Sequence, residues 1–505
     1  MDRLSIKGLT KTFGPFVAVD DISVDIKGGT IHAVVGENGA GKSTIMKCIY
    51  GIHHPDRGEI SMDGKPLYIR SPRDAMASGI GMVHQHFMLV PSMSVCRNVV
   101  LGDEPVKGLA FDLNRARSEV FRLIELYGLD ISPDVPVGTL PVGLQQQVEI
   151  LKLLYRQAEV LIFDEPTAVL SPKEVGRLFE TLRGFKDAGK TVIFIAHNLG
   201  EVLDISDNIS VMRKGSLIDT RPASELDKSS LAELMVGRAI NLPSVTDGPV
   251  LSKTPLLELS GISVAGDSRP LLDDVSLKIH GGEVLGVAGI TGNGQSELEE
   301  VISGLRESDG TVVIDGVDLT SSDSHRRRES GLAYIPEDRL KTGLAPLASL
   351  ADNGLMGYQY QDRFRNGPFQ NRAESLSHID GIMDKYGVAA AHRAVQSGTL
   401  SGGNMQRLVM GRELEHDPKV LVVSQPTRGV DIGGAEEIHR HILDLRSRGS
   451  AVLLISSDLE EVLSLSDRVA VMFRGKIVAL LSSKEATRDR VGRIMLEGEE
   501  GGDLE

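Results

Sequence analysis

An internal repeat constrains the fold of this 505-residue sequence more than any other feature. The nine residues Gly-Gly-Thr-Ile-His-Ala-Val-Val-Gly at 28–36 return as Gly-Gly-Glu-Val-Leu-Gly-Val-Ala-Gly at 281–289, displaced by 253 residues. Three later pairs share a displacement of 260 residues: 140–143 with 400–403, 164–167 with 424–427, and 195–197 with 455–457. Self-similarity at a fixed spacing indicates duplicated structural units. The sequence therefore predicts two homologous domains, with a small net insertion in the middle of the second.

The repeat also sets the expected boundaries. It divides the chain into a first domain over residues 1–240, a linker over 241–255, a second domain over 256–495 and an acidic tail over 496–505. The linker prediction depends on Pro243, Gly248 and Pro249, which lie among Ser, Thr and Asp residues. The tail has five acidic and no basic residues, which is typical of a solvated chain end.

Composition excludes several classes of function. Lys and Arg total 55 against 70 Asp and Glu, and the resulting net charge of -15 argues against nucleic acid or an anionic membrane surface as the main partner. Two cysteines fit a reducing compartment rather than a disulfide framework. The sequence has neither an apolar run long enough for a membrane helix nor a signal-peptide pattern at its start. We expect a cytosolic chain that does not itself cross a membrane.

Local patterns predict an α/β fold in each copy. Residues 30–35 read as a buried strand, followed by a glycine-rich turn and a helix over 42–49. Residues 160–163 and 191–195 are two more apolar runs of strand length, each followed by a helical stretch, which predicts a parallel sheet with helices on its faces. Residues 112–127 have helical spacing and are expected to form a separate helical insertion.

The turn after the first of these strands has the chemistry of a phosphate loop. Residues 36–43 read Gly-Glu-Asn-Gly-Ala-Gly-Lys-Ser, between a predicted strand and a predicted helix, which is the context the pattern requires. Glycines allow backbone N–H groups to surround a polyphosphate at the positive end of a helix. Lys42 is predicted to reach the outer phosphates, and Ser43 to hold magnesium.

Two adjacent carboxylates supply the second half of such a site. Asp164 and Glu165 end the apolar strand over 160–163. We expect Asp164 to hold magnesium, directly or through water, and Glu165 to accept a proton from the attacking water or to orient it. An acidic pair at a strand end is often only a solvated loop, but here a phosphate loop precedes it.

The stretch Leu-Ser-Gly-Gly-Asn-Met-Gln at 400–406 resembles the signature of the ATP-binding cassette (ABC) proteins, and the resemblance extends from Lys11 to Gly475. It implies two P-loop NTPase domains in tandem, each with a mostly parallel sheet core, an antiparallel β subdomain and a helical subdomain. It also implies ATP and Mg²⁺ as ligands. By resemblance, Phe13 stacks on adenine, Gln85 senses magnesium and the membrane partner, and His197 contacts the γ-phosphate. Taken alone, Phe13 fits ordinary core and His197 a structural hydrogen bond.

The resemblance assigns nucleotide contacts to one further group of residues. These are Gly36, Glu37, Asn38, Gly39, Ala40, Gly41, Lys42, Ser43 and Thr44 of the phosphate loop, Asp164, and Ser401, Gly402 and Gly403 of the signature. The magnesium contacts are Ser43, Gln85 and Asp164, and the residues assigned to catalysis are Glu165, His197 and Gln85.

The two copies differ at the positions that carry the chemistry. In the second copy Gln295 replaces Lys42, Ser424 and Gln425 replace Asp164 and Glu165, Glu337 replaces Gln85, and Ser457 replaces His197. The signature is intact in the second copy, whereas the first copy reads Leu-Pro-Val-Gly. Cassettes of this family associate head to tail, with the phosphate loop of one facing the signature of the other. All intact parts then meet in one site, and the resemblance implies one hydrolytic and one silent site.

Fused cassettes of this kind resemble the ATPase subunit of a bacterial importer. The resemblance implies two transmembrane permease subunits, an extracytoplasmic solute-binding protein as an indirect partner, and a peripheral location at the cytoplasmic face of the membrane. Residues 81–91 and 142–146 resemble the branch that imports nucleosides, which is the favoured solute, whereas residues 334–339 and 424–431 resemble importers of monosaccharides such as ribose, galactose or xylose. Residues 86–95 include Phe87, Met88 and Met93 and fit either core or a docking surface for a membrane subunit's helix.

The sequence disfavours two rival functions. A soluble tandem-cassette ATPase acting on ribosomes typically has two competent sites and a long charged linker, and this sequence has neither. A regulatory ATP-binding module without turnover is disfavoured by the carboxylate of Glu165.

Overall fold

The computed structural model describes residues 2–84, 87–108, 110–129, 131–167, 170, 172–196, 198–239, 243–245, 252–266, 269–290 and 292–498, without the side chains of residues 172 and 173. The chain divides into two compact units, Met1–Ile240 and Asn241–Glu505. Most of the predicted linker and of the acidic tail lies outside the described residues.

The first unit contains strands β1 (Asp2–Phe13), β2 (Phe16–Lys27), β3 (Ile31–Gly36), β4 (Arg57–Met62), β5 (Lys65–Leu67), β6 (Ile80–Val83), β7 (Val106–Lys107), β8 (Ala110–Phe111), β9 (Val160–Asp164), β10 (Thr191–Ile195), β11 (Asn208–Arg213) and β12 (Ser216–Pro222). Its helices are α1 (Lys42–Ile49), α2 (Pro72–Ala77), α3 (Val95–Val100), α4 (Leu113–Leu126), α5 (Val142–Tyr155), α6 (Pro172–Asp187), α7 (Leu199–Ile205) and α8 (Lys228–Val236).

The second unit contains strands β13 (Pro255–Val264), β14 (Leu272–His280), β15 (Val284–Ala288), β16 (Asp309–Ile314), β17 (Val317–Asp318), β18 (Leu332–Ile335), β19 (Arg365–Asn366), β20 (Phe369–Gln370), β21 (Val420–Ser424), β22 (Ala451–Ile455), β23 (Arg468–Phe473) and β24 (Lys476–Ser482). Its helices are α9 (Gln295–Ser303), α10 (Ser324–Glu329), α11 (Leu350–Leu355), α12 (Arg372–Lys385), α13 (Gly402–Leu414), α14 (Ile432–Ser447), α15 (Leu459–Leu465) and α16 (Arg488–Glu497), with a π-helical turn at Arg339–Gly343.

The central sheet of the first unit confirms the predicted α/β fold. Its strand order is β12-β11-β3-β10-β9-β6, with β11, β3, β10, β9 and β6 parallel and β12 antiparallel at the edge. Every residue of β3, β9 and β10 is buried, as expected for apolar strands covered on both faces. In the register, Ile195 lies opposite both Val34 and Asp164, so the carboxyl ends of these strands reach one edge.

The antiparallel part of the first unit is a separate sheet in the order β2-β1-β4-β5. Alternate residues of β1, such as Leu4 and Ile6, are fully buried against α1 and the central sheet in one apolar core. This period-two burial is typical of a sheet that is covered on one face only. The antiparallel subdomain implied by the family resemblance is thus confirmed.

A helical part with its own core stands apart from the sheets. Helices α3, α4 and α5 bury an apolar cluster that includes Val95, Val120 and Leu151. The predicted helix over 112–127 is observed as α4, and the Asp112 side chain caps it by accepting a hydrogen bond from the Arg115 N–H at 3.0 Å. Within the described ranges, no helix is both long and apolar enough to span a bilayer.

The second unit repeats this plan with sheets ordered β18-β21-β22-β15-β23-β24 and β14-β13-β16-β17. The displacement between equivalent elements is 252 residues at β6 and β18, 255 at α3 and α11, and 260 at α5 and α13. The net insertion predicted for the second copy therefore lies in its helical part and in the segment that leads into it.

A buried charge cluster stabilises the helical part of the second unit. The Glu413 carboxylate is fully buried and accepts hydrogen bonds from Arg328 at 2.6 Å, Arg412 at 2.9 Å and the Tyr358 hydroxyl at 2.8 Å. Burial alone would raise the pKa of Glu413, but the two guanidinium groups hold it below its ordinary value. Each buried charge in this cluster therefore depends on the others.

We expect Glu413→Gln to lower the free energy of unfolding by about 3–5 kcal/mol, because it leaves two guanidinium groups partly or fully buried without their carboxylate. Urea denaturation of the full chain measures the loss. The matched control is Glu415→Gln, which removes the ion pair with the exposed Lys385 and leaves an amide oxygen to accept from the Tyr386 hydroxyl, so it should cost less than about 1 kcal/mol. Equal losses from the two variants would contradict the importance of the cluster.

Candidate functional site

The phosphate-loop sequence of the first unit joins β3 to α1 at the shared strand edge. Gly41 caps α1 with a φ of 97°, a left-handed conformation that favours glycine. A Cβ at Gly41 would lie 2.5 Å from the Ala18 carbonyl oxygen, and one at Gly36 would lie 2.2 Å from the Met212 carbonyl oxygen. At these two glycines the loop is therefore packed closely against neighbouring backbone.

Lys42 is the charged centre of this loop. Its side chain is 5% exposed, and Nζ donates hydrogen bonds to the carbonyl oxygens of Gly36 at 2.7 Å and Glu37 at 3.0 Å. The ammonium group thus lies inside the loop at the N-terminal end of α1, where the helix dipole adds to its positive potential. This arrangement suits an anionic phosphate group.

Ser43 and Asp164 offer oxygen ligands for a divalent cation. Ser43 Oγ donates to Asp164 Oδ1 at 3.1 Å, and this contact joins the start of α1 to the end of β9. Burial raises the pKa of Asp164, while the hydrogen bond from Ser43 lowers it. A hydroxyl and a carboxylate beside a phosphate loop are the donor set that magnesium prefers, so the residues present fit the ion.

Glu165 leaves the sheet immediately after Asp164. Its φ of 52° is left-handed, which is uncommon for a residue with a side chain and frequent at functional sites. The Glu165 N–H donates to the Ile195 carbonyl oxygen at 3.0 Å, which fixes the turn beside the end of β10. Gln85 and His197 lie outside the described residues; the strands that precede them, β6 and β10, flank β9.

Phe13 lies at the end of β1 with 43% of its surface exposed, so it is not a core residue. Its ring meets His53 edge to face at 5.2 Å between centroids, and Lys11 Nζ lies 5.6 Å from the ring centroid. An exposed ring can stack on a flat heterocycle. In the strand register of the second unit, the equivalent position is occupied by Gly266, which has no ring to stack.

The signature stretch begins α13 in the second unit. Ser401 caps this helix, and its Oγ accepts hydrogen bonds from the Asn404 N–H at 3.4 Å and from Asn404 Nδ2 at 3.0 Å. A Cβ at Gly403 would meet no atom within 4 Å, so packing does not require glycine there. The equivalent helix α5 begins after Pro141, whose side chain makes no capping hydrogen bond.

The phosphate-loop position of the second unit has an uncharged glutamine, Gln295, at the place of Lys42. Gln295 Nε2 donates to the Ile290 carbonyl oxygen at 3.2 Å, and its Oε1 is buried without a hydrogen-bond partner in the described part of the chain. Gln425 has a φ of 47°, close to that of Glu165. Its Oε1 accepts hydrogen bonds from Ser457 N–H at 3.1 Å and Oγ at 3.0 Å, so the amide is held by the residue that replaces His197.

Glu299 is a buried residue of this region that sequence reasoning missed. It is 5% exposed on α9 and accepts a hydrogen bond from the Tyr334 hydroxyl at 3.2 Å, while its Oε2 is buried without a hydrogen-bond partner in the described part of the chain. Burial raises the pKa of Glu299 to about 7, and the nearby Ser424 and Tyr334 hydroxyls oppose this rise. The first unit has Met46 and Met82 in place of Glu299 and Tyr334. Comparing the buried positions of the two copies could have revealed this carboxyl.

Because folding raises the pKa of Glu299, we expect this residue to lower the stability of the folded chain as the pH rises. The unfolded chain releases this proton near 4.5, whereas the folded chain keeps it to about pH 7. The stability that the Glu299 carboxyl contributes is therefore fully present below pH 4.5 and is lost as the pH rises through about 7. We expect Glu299→Gln to be more stable than the parent by up to about 3 kcal/mol near pH 8, with little difference near pH 4.5.

Thermal unfolding of the parent and the Glu299→Gln variant, compared at the two pH values, measures this difference. Glutamine has the same shape as the protonated acid, so the two proteins differ mainly in their titration. A stability difference that is independent of pH would contradict the assignment.

Comparisons with known proteins agree with this geometry. A family model described as ABC transporter matches residues 19–168 and 272–428. The chain is 40% identical over 493 residues to the nucleoside import ATP-binding protein NupA of Lactococcus lactis subsp. cremoris, with 97% of both chains covered. It is 40% identical over 495 residues to the guanosine import ATP-binding protein NupO of Bacillus subtilis, again with 97% of both covered.

Similarity is not limited to nucleoside proteins. The chain is 41% identical over 528 residues to the glucose import ATP-binding protein TsgD13 of Haloferax volcanii, with 98% of this chain and 96% of the relative covered. A solved structure described as RNase-L Inhibitor covers 97% of this chain and 92% of its own, with a TM-score of 0.66 and 18% identity. At that identity the likeness concerns the fold alone.

Proposed function

The chain belongs to the ABC transporter family, and on this premise we propose that it is the ATP-hydrolysing subunit of an importer that takes up a nucleoside. The observation that carries the proposal is the unequal chemistry of the two units. In the first unit Lys42 is hydrogen-bonded within the phosphate loop, and the neighbouring Ser43 is hydrogen-bonded to Asp164. The second unit has no carboxylate at the positions of Asp164 and Glu165 and no lysine at that of Lys42.

Each group in the first unit has a role that its placement supports. Lys42 would bind and neutralise the outer phosphates of ATP, and Phe13 would stack on the base. Ser43 and Asp164 would hold Mg²⁺, which neutralises phosphate charge when bound. Glu165 would orient the attacking water and accept its proton, because it is the only base candidate at the end of β9 besides the buried Asp164.

The family resemblance supplies the remaining roles. Gln85 and His197 would complete the hydrolytic site as magnesium and γ-phosphate contacts, and Ser401 to Gly403 would contact the hydrolysed nucleotide. The second phosphate-loop position would bind nucleotide with little cleavage, because Gln295 carries no charge and Gln425 cannot accept a proton.

The partners follow from the class of protein. An import ATP-binding subunit works with membrane subunits, so we infer two permease subunits, an extracytoplasmic solute-binding protein, and a peripheral location at the cytoplasmic face of the membrane. Met88 supports a docking surface after Gln85: its side chain is 63% exposed. Its backbone is fixed by hydrogen bonds to Glu149 at 2.7 Å and from Lys152 at 3.0 Å.

Nucleoside is favoured as the solute by the resemblance of residues 81–91, and two relatives at 40% identity that are named for nucleoside or guanosine import support it. A monosaccharide is the second candidate, and the glucose import relative at 41% identity supports it. The ribosomal alternative is supported only by a likeness of fold, at 18% identity, to a solved complex of an archaeal ribosomal stalk protein and a ribosome recycling factor.

We expect Glu165→Gln to lower the rate of ATP hydrolysis by about 10²- to 10⁴-fold, because a neutral amide cannot act as a base. Gln295→Ala, the matched change in the second unit, should leave most of the activity, because that residue has no part in the proposed hydrolysis. Phosphate release by the purified chain measures both. Comparable losses from the two variants would rule out the proposed asymmetry.

The solute is tested with the chain assembled with its permease subunits and solute-binding protein in proteoliposomes. We expect nucleosides to stimulate phosphate release and to accumulate inside, because transport couples solute delivery to turnover. Ribose, galactose, xylose and glucose serve as comparison solutes. Stimulation by one of these sugars alone would establish the second candidate, and no stimulation by either class would contradict an importer of this type.

A further inference from the structure

The segment between β18 and α11 is built differently from its counterpart in the first unit. It spans residues 336–349, whereas β6 and α3 are separated only by residues 84–94. The segment of the second unit is thus three residues longer, and it contains the π-helical turn Arg339–Gly343. Single π-helical turns are rare and occur often at functional sites.

Arg339 joins this turn to two other parts of the second unit. Its Nη1 donates to the Gly402 carbonyl oxygen at 2.6 Å, in the first turn of α13. Its Nη2 donates to the Arg428 carbonyl oxygen at 2.5 Å, in the segment that follows β21. The rigid, planar guanidinium group can bridge two carbonyls in this way, whereas the single ammonium group of a lysine lacks the fork.

The far end of the turn is attached to the same helix. Arg412 on α13 is 2% exposed and donates from Nη1 to the Gly343 carbonyl oxygen at 2.9 Å. Gly402 and Arg412 are ten residues apart on α13, a rise of about 15 Å. The turn therefore holds α13 at two points along its length, and a helix held at two points cannot tilt freely.

Local charges keep the turn in place. Asp338 Oδ1 accepts hydrogen bonds from the backbone N–H groups of Leu340 and Lys341, both at 3.0 Å. Glu337 forms an ion pair with the Arg428 side chain, so the segment before the turn and the segment after β21 are joined a second time. Three stretches of the second unit that are far apart in sequence thus meet at Arg339.

The first unit has no equivalent arginine. Phe87 lies 252 residues before Arg339 and occupies the equivalent position. Helix α5 begins at Val142 after Pro141, whereas α13 begins at Gly402 after Ser401. The two-carbonyl fork therefore occurs in the unit that has the intact signature.

We propose that Arg339 is a positioning residue for ATP hydrolysis, which fixes the backbone of Ser401, Gly402 and Gly403 by bridging the Gly402 and Arg428 carbonyls. The proposal rests on the proposed function, which assigns these signature residues to the hydrolysed nucleotide. A displacement of about 1 Å at a group that contacts the reacting phosphate can cost about 10²-fold in rate. Arg339 acts through the signature and does not itself touch substrate.

The test uses the purified full chain with Arg339→Lys and Arg339→Ala, and measures ATP hydrolysis over a range of ATP concentrations. We expect kcat to fall about 10- to 100-fold in both, with KM for ATP changed by less than about 3-fold, because the first unit's phosphate loop is untouched. Millimolar guanidinium ion should restore part of the kcat of Arg339→Ala and none of that of Arg339→Lys, whose side chain fills the space.

Arg326→Ala is the matched control. Arg326 lies in the same unit, is 62% exposed and forms a surface ion pair with Glu329, so its loss should leave kcat and KM unchanged. Melting temperatures of all variants separate positioning from unfolding. If Arg339→Ala does not fold, the lysine variant decides the question.

The outcomes are distinct from those of the proposed function. Parental kcat in a folded Arg339→Lys or Arg339→Ala, together with the loss of activity in Glu165→Gln, would overturn the positioning role alone. An active Glu165→Gln would overturn the proposed function itself. A rise in KM without a fall in kcat would also overturn the positioning role, because it would indicate weaker nucleotide binding instead.

Discussion

The parallel register of β3, β10 and β9 is the constraint on which the functional site depends. Because Ile195 lies opposite both Val34 and Asp164, the phosphate loop after β3 and the carboxylates after β9 reach the same edge of the sheet. The Ser43–Asp164 hydrogen bond exists only in this register. A shift of one residue would turn Asp164 to the other face of the sheet and separate the two oxygen ligands.

The sequence alone was enough to predict features that depend on local patterns. The buried strands β3, β9 and β10, the helix α4 and the phosphate loop all follow from short apolar runs, capping residues and glycine spacing. The antiparallel sheet followed only from the family resemblance. The roles of all the proposed site residues remain predictions, and Gln85 and His197 lie outside the described residues.

Contacts between distant segments could not be predicted from one sequence. Arg339 reads as an ordinary charged residue until folding brings the carbonyls of Gly402 and Arg428 within reach of one guanidinium group. Glu299 reads as the surface of an amphipathic helix beside Glu300, yet it is buried against Tyr334 and Ser424. Both cases depend on which face of an element meets which strand end, and periodicity fixes that only approximately.

Comparing the two copies distinguishes the residues that the fold requires from those proposed to carry out the chemistry. Gly41 and its counterpart Gly294 both have left-handed φ values, 97° and 113°, and a Cβ at either would lie within 3 Å of a backbone carbonyl oxygen, that of Ala18 or of Leu271. The second loop keeps this glycine although its lysine is replaced by Gln295, so packing is sufficient to require it. Glycines in such a loop therefore indicate the fold, whereas the proposed hydrolysis depends on Lys42, Asp164 and Glu165, three side chains that the second unit replaces without loss of the fold.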